Sequence, residues 1–132
     1  MPRSASVALV LLVALGCRYA PREEPSGAVL YARHCAACHG TEGRGDGPVA
    51  PALRRPPNDL TLLARENGGR FDTAHVATVI DGRSPVVEHG TREMPVWGVV
   101  FEAELSDEAY TGYRAIERSR SLTDHIAAIQ VE

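Results

Sequence analysis

Cys35-Ala36-Ala37-Cys38-His39 is the stretch on which the reading of this chain turns. Three chemistries use a Cys-x-x-Cys pair. A redox dithiol wants it after a strand in a βαβ setting, but the residues upstream have helical spacing. A structural zinc site wants four ligands, usually as two separated pairs, and the only other cysteine, Cys17, lies at the end of an N-terminal apolar run. With a histidine directly following, Cys-x-x-Cys-His is the signature for covalent attachment of a c-type haem. On that reading Cys35 and Cys38 form thioethers to the porphyrin, and the imidazole of His39 reaches the iron from one face.

Upstream of the motif, Ser26 has the chemistry of an N-cap. Gly27, Leu30, Tyr31, His34, Cys35 and Cys38 then recur at i, i+3, i+4, i+7, i+8 and i+11, which is one face of a helix. That face delivers both cysteines to the core, and Gly27 allows another helix to come close. Downstream, Gly40 to Pro57 holds Gly40, Gly43, Gly45 and Gly47 with Pro48, Pro51, Pro56 and Pro57. This density predicts a long loop without regular structure. Such a loop can wrap the proximal side of a haem, a backbone group bonding the second nitrogen of His39, or it can be a solvated linker. Gly43-x-Gly45-x-Gly47 lacks the strand and helix that a phosphate loop needs.

Further along, Asn58 or Asp59 can cap a short helix from Leu60 to about Glu66, ended by Gly68-Gly69. Asp72 can cap a second, with Val76, Val79 and Ile80 as its buried stripe and Gly82 as its stop. Arg83 to Trp97 lacks periodicity. Ser106-Asp107-Glu108 reads as a helix start, with Tyr110, Tyr113 and Ile116 on one face. Leu122, His125, Ile126 and Ile129 mark a terminal helix, and a break is expected near Ser119 to Ser121.

The N-terminus has the pattern of an export signal. Arg3 precedes an apolar run, Ala5 to Leu15, too short to span a bilayer but fitted to a cleavable signal. Leu15-Gly16-Cys17 resembles a bacterial lipobox, although Ala14 stands where that motif usually has Leu. The resemblance implies a lipid on Cys17, and more than one acyl chain makes such an anchor stable. An ordinary secreted protein is the alternative. The expected organisation is a signal over 1–16, an acylated Cys17 with a flexible polar tether over 17–26, and one domain over 27–132. Localisation follows as exported, in a bacterial periplasm, anchored to a membrane as a lipoprotein.

The 132 residues carry a net charge of −3 with 14 cationic side chains, all of them Arg, and no Lys. That balance excludes a nucleic-acid footprint. Aromatic residues are only 5%, so the core is modest, and a buried porphyrin would supply apolar surface that the chain lacks. The apoprotein is expected to fold poorly for that reason.

A haem iron held by His39 needs a partner on its other face. Met94 is the only methionine besides Met1 and sits in Met94-Pro95-Val96-Trp97-Gly98. Its thioether is a soft ligand that raises the potential of a His-ligated haem. His34, His75, His89 and His125 are the rival donors. His89, five residues before Met94, is the strongest of them; His34 and His125 fall on helix faces as core residues with satisfied nitrogens, and His75 on an exposed one.

Together these features resemble the class I cytochrome c family, in its monohaem bacterial branch with a Met-Pro-x-Trp-Gly distal loop. The resemblance covers Gly27 to Gln130. It rests on Gly27-Ala28-Val29-Leu30-Tyr31-Ala32, the haem motif, Gly45-Asp46-Gly47-Pro48, Pro57-Asn58-Asp59-Leu60, and Met94 to Gly98. It implies an all-α cytochrome c fold in which N- and C-terminal helices cross, with four to five short helices around one covalent haem c. By carry-over Cys35 and Cys38 bind the haem, His39 and Met94 ligate its iron, and Gly27 and Tyr31 meet the terminal helix. Trp97 and Arg55 become candidates for packing on the haem or bonding its propionates. One departure is His125, where the family usually offers an aromatic to the first helix, and weaker docking is expected there.

The function so implied is single-electron transfer in a periplasmic respiratory chain. The chain would be a carrier rather than an enzyme, alone or as the cytochrome subunit of a larger oxidoreductase. Its partners would be redox proteins: a dehydrogenase, a quinol-oxidising complex or a terminal oxidase. The alternative is a haem-based ligand sensor or small peroxidase with a labile Met94, for which His89 and Arg92 are the nearby polar groups. A non-redox zinc domain is the third reading.

Overall fold

Gly27 decides how the first and last helices meet. The computed structural model describes residues 23–82 and 94–131. Ser26 caps helix α1, Gly27–His34, its hydroxyl accepting from the Val29 amide at 3.4 Å. A Cβ added at Gly27 would lie 1.9 Å from the Ser121 carbonyl oxygen and 2.9 Å from the His125 Cβ. Only a glycine lets the two backbones come this close. Leu30 and Tyr31, one turn on, are buried in the same contact.

After α1 come α2, Ala36–His39, a 3-10 turn at Ala50–Ala52, and a second 3-10 turn at Leu60–Leu62 that runs into α3, Leu63–Glu66. They are followed by α4, Thr73–Asp81, then α5, Trp97–Glu104, and α6, Thr111–Ala128. No strand occurs among the described residues. The fold is all-α, and α6 is its spine, packing against α1, α4 and α5. Asp59 and Asp72 cap as expected, accepting from the amides of Thr61 and His75, and Gly82 stops α4 in a left-handed conformation with φ 66°.

The core is formed by Leu30, Tyr31, Val76, Ile80, Trp97, Phe101, Leu105, Ala115, Leu122 and Ile126. Two buried hydroxyls on α6 bond within their own helix, Ser119 to the Ala115 carbonyl at 3.2 Å and Thr123 to the Ser119 carbonyl at 2.9 Å. This back-bonding satisfies polar groups inside the core. It also explains why α6 runs unbroken through Ser119 to Ser121, where a break was expected.

Other expectations need correction. Ser106-Asp107-Glu108 does not start a helix; the chain turns there, the Glu108 amide bonding the Leu105 carbonyl at 2.8 Å, and α6 begins at Thr111. The apparent cap belongs instead to the reversal that folds α5 onto α6. Tyr110, Tyr113 and Ile116 are exposed and form no buried face. Trp97 opens a helix that periodicity did not reveal, because within it only Trp97 and Phe101, spaced at i and i+4, are large and buried, with Leu105 buried just past its end. The glycine- and proline-rich loop contains one 3-10 turn at Ala50–Ala52. The described residues form six α-helices, two of them a single turn long, in keeping with the expected all-α fold of about four to five short helices.

The ends of the domain are tied to α6. Glu24 accepts from Arg114 and from Arg118 Nε, the latter at 3.0 Å; Arg118 also bonds Glu104 at 2.9 Å, and Arg114 pairs with Glu108. At the other end Gln130 accepts from the Ala64 amide at 2.8 Å and donates to the Leu60 carbonyl. No described helix is long and apolar enough to cross a membrane. The expected signal, Cys17 and most of the expected tether lie outside the described residues.

Gly27→Val should cost about 3 kcal/mol of folding stability, because the steric conflict is with backbone that cannot turn aside; a denaturant midpoint equal to the parent's would contradict the crossing. Burial pushes the Glu24 carboxyl up, but hydrogen bonds from Arg118 and Arg114 outweigh it and hold the group below its usual range. Its contribution is therefore present at neutral pH and disappears as acid protonates it. Glu24→Gln should lose about 1 kcal/mol at pH 7 and nothing relative to the parent at pH 2, measured by urea titration at both.

Candidate haem site

Cys35 is the hinge between two helices. Its amide closes α1 onto the Tyr31 carbonyl at 2.9 Å, and its own carbonyl receives the amides of Cys38 at 3.1 Å and His39 at 2.9 Å. One short segment therefore presents two thiols and an imidazole. Neither Cys35 nor Cys38 is in a disulfide, and both are half-buried.

A single turn such as α2 has no stability of its own, and the following loop holds it. The amides of Val49, Gly47 and Gly45 bond the carbonyls of Ala37, Cys38 and His39 at 2.9, 3.1 and 2.8 Å. These are carbonyls that a helix end leaves without partners. Tyr31 donates its hydroxyl to the Gly40 carbonyl at 2.8 Å. Gly47 is needed for contact, since a Cβ there would sit 2.4 Å from the Ala37 oxygen; Gly45, with φ 76°, would put one 2.3 Å from the Pro57 oxygen. The segment pressed against Gly45 carries the Asn58 carbonyl, 3.3 Å from His39 Nδ1. A carbonyl only accepts, so Nδ1 carries the proton. The orienting partner lies just beyond the loop in which the sequence placed it.

On the other side of Cys35, the His34 ring packs against Trp97 at 5.1 Å between centroids and Phe101 at 5.4 Å. Trp97 in turn stacks on Phe101 at 5.9 Å. His34 Nε2 is buried without a hydrogen bond, its nearest carboxylate being Glu104 at 3.9 Å. The expectation of satisfied nitrogens fails for this residue, because the helix face that buries it is lined by aromatic rings. His125 takes the aromatic's place opposite α1, its ring 5.0 Å from that of Tyr31. His75 is exposed, as expected.

Met94 is half-buried and packs against the same core that Cys35 and Ala36 touch. Trp97 reaches the motif through His34, whereas Arg55 is exposed in the loop. His89, Arg92 and Cys17 lie outside the described residues. Phe101 and the Asn58 carbonyl are the contributors that sequence reading missed; the i, i+4 spacing of Trp97 and Phe101 was the available signal for the first, and nothing in a sequence marks a carbonyl.

The donor set discriminates among chemistries. Burial, and then the charge of Cys38, push the Cys35 thiol up to about 12, the reverse of the lowered value that a dithiol nucleophile needs. No group of three or more His, Cys, Asp or Glu side chains among the described residues is placed to hold a metal ion, as a structural zinc site would require. Two unbridged thiols on one helix end, an imidazole fixed at Nδ1 and a thioether on the same core do fit a covalent haem.

An all-helical fold with crossing terminal helices and this helix end defines a c-type cytochrome domain. The family model described as cytochrome c oxidase, cbb3-type, subunit III matches residues 22–112, and the chain belongs to that family. Membership brings covalently bound haem c and haem-based electron transfer, with redox partners in respiratory complexes. No curated protein and no solved structure matches the chain.

Burial holds the His34 ring below its usual value against the opposing pull of Glu104. Its neutral form is favoured by folding, so stability is full above the unfolded value near 6.5 and falls as pH drops below it. The urea midpoint should decrease between pH 7.5 and pH 5.5, and His34→Phe should remove that decrease; an unchanged pH dependence in the variant would count against the burial of a neutral ring.

Proposed function

We propose that the chain is an exported single-electron carrier in which Cys35 and Cys38 hold one haem c and His39 and Met94 are its axial ligands. Residues 1–16 act as the signal and Cys17 as the lipid-bearing residue of a periplasmic, membrane-anchored domain spanning residues 27–132. The observation that carries the reading is the convergence of Cys35 and Met94 on one core. Two segments 59 positions apart in the chain pack against the same buried core.

When bound, the haem supplies an iron that changes oxidation state by one electron without bond chemistry on a substrate. The chain's residues then have separable tasks. Cys35 and Cys38 fix the group's position relative to α1. The Asn58 carbonyl faces Nδ1 of His39, which would keep the proton there, leave Nε2 as the ligating atom and help to orient the ring. Met94 would fill the opposite position with a soft donor, stiffened by Pro95. Trp97 and Phe101 exclude water from the Cys35 side, while Arg55, exposed, would meet propionates only at the haem edge. Full ligation is what favours electron transfer over O₂ chemistry. The electron donors and acceptors that fit are a dehydrogenase, a quinol-oxidising complex or a terminal oxidase.

The test is a pair of visible spectra. Produced with its signal and the c-type maturation machinery, the ferric protein should show the weak red charge-transfer band of methionine ligation, and Met94→Ala should lose it while keeping the covalent haem. A c-type spectrum without the band in the parent would transfer the distal role to a histidine and favour sensing or peroxidase chemistry. Gly45→Ala, by displacing the Pro57–Asn58 segment from His39, should weaken the Nδ1 hydrogen bond and raise the reduction potential. Potentiometry that finds no change would remove Asn58 from this role.

A further inference from the structure

We propose that His34 carries a proton in step with the electron: the ring takes up a proton through Glu104 when the domain is reduced and gives it back when the domain is oxidised. This rests on the reading of Cys35 as a residue that holds the haem. His34 has no other task at the site. Its side chain is 10% exposed, and Nε2 is buried without a hydrogen bond. Leaving such an atom unpaired is costly, and a phenylalanine among the same aromatic neighbours would avoid the cost.

Glu104 connects the ring to water. One of its carboxylate oxygens, Oε1, is 3.9 Å from His34 Nε2, and the other, Oε2, accepts from Arg118 Nη1 at 2.9 Å. Its side chain is 37% exposed and lines a polar cleft with Glu23, Arg33, Glu108, Arg114 and Arg118. The same carboxylate therefore meets solvent and the buried ring. In the charged form of the ring Nε2 carries an N–H, whichever tautomer it came from. A closure of about 1 Å would give that N–H a charge-assisted bond to Glu104, which the neutral ring does not have.

The forces on the ring are opposed, which leaves its charge sensitive to a neighbour. Burial acts most strongly and favours the neutral form; Glu104 of α5 favours the charged form, and Arg33 of α1 and Arg118 of α6 oppose it. Trp97 and Phe101, the other neighbours on α5, are uncharged. Reduction lowers by one unit the positive charge of the group that Cys35 carries, and His34 is the residue next to Cys35 in the chain. At an effective dielectric near 20, a unit charge within about 12 Å changes a proton affinity about tenfold or more. One electron from the redox partner converts ferric to ferrous iron, up to one proton from water forms an N–H bond on the ring, and oxidation releases both.

Potentiometry of the holoprotein across the acidic and neutral range tests this. The mass of the peptide containing Cys35 first reports whether haem is attached there. With haem in place, the potential should decrease as pH rises through the acidic range and become level toward pH 8. The whole decrease should correspond to about tenfold tighter proton binding by the reduced domain, or about 59 mV, and an unbuffered sample should take up protons on reduction within that range. His34→Phe should remove both the decrease and the uptake. Glu104→Gln, which keeps the ring but weakens its charged form, should move the decrease to lower pH. A parent potential independent of pH, a decrease that survives His34→Phe, or one that Glu104→Gln leaves in place overturns the proton role with haem still on Cys35. A visible spectrum that changes over the same range would assign the decrease to exchange of an axial ligand, and would also overturn it. Absence of haem from Cys35 overturns the site itself, and the role of His34 with it.

Discussion

Most of this molecule's architecture depends on the close approach of α1 to α6 at Gly27. Ser121 and His125 occupy the space that any side chain at that position would need. The crossing therefore fixes α1 in two directions at once: Leu30 and Tyr31 enter the core, and the C-terminal end of the helix, with Cys35, is carried to one place on the surface of that core. Tyr31 works on both sides of the junction, its ring against His125 and its hydroxyl on the Gly40 carbonyl. The thiols are thus positioned by a helix contact centred about two turns away, without any bond of their own to the rest of the domain.

The segment beyond Cys35 solves a different problem. A four-residue helix leaves most of its backbone carbonyls without partners in the helix, and here the amides of Gly45, Gly47 and Val49 return to meet three of them. Close return demands glycine, which explains the composition of the loop better than flexibility does. The same return delivers the Asn58 carbonyl to His39. A loop that sequence patterning marks only as irregular is in this way an ordered half of the site. On the opposite flank His34, Trp97 and Phe101 provide a dry wall, at the cost of one imidazole nitrogen without a hydrogen bond.

Charge plays a structural part in the N-terminal half of α6. Glu24, Arg114, Arg118, Glu104 and Glu108 alternate in sign, joining the start of the described chain to the α5–α6 region some ninety positions on. Guanidinium suits this use, since each Arg can bond two carboxylates in one plane.

Much of this was legible in the order of residues. The Cys-x-x-Cys-His motif, the cap at Ser26, the face from Gly27 to Cys38, the capping aspartates and the stop at Gly82 are local signals, each acting within one or two turns, and local signals survive in a sequence. The start of α6 was misplaced because Ser106-Asp107-Glu108 has the chemistry of a cap in any context, and only the packing of Leu105 into the core turns it into a reversal. The expected break at Ser119 failed because serine's hydroxyl has a partner once the helix is buried. α5 went unseen because it buries only two large side chains, Trp97 and Phe101. Which carbonyl meets His39, which rings enclose His34, and whether Met94 and Cys35 pack on one core all depend on segments far apart in the chain. The sequence by itself determined the chemistry the domain carries and the elements that present it. Tertiary structure decided which of those elements meet, because a long-range contact depends on the space left by everything else that packs, and no short window of residues contains that information.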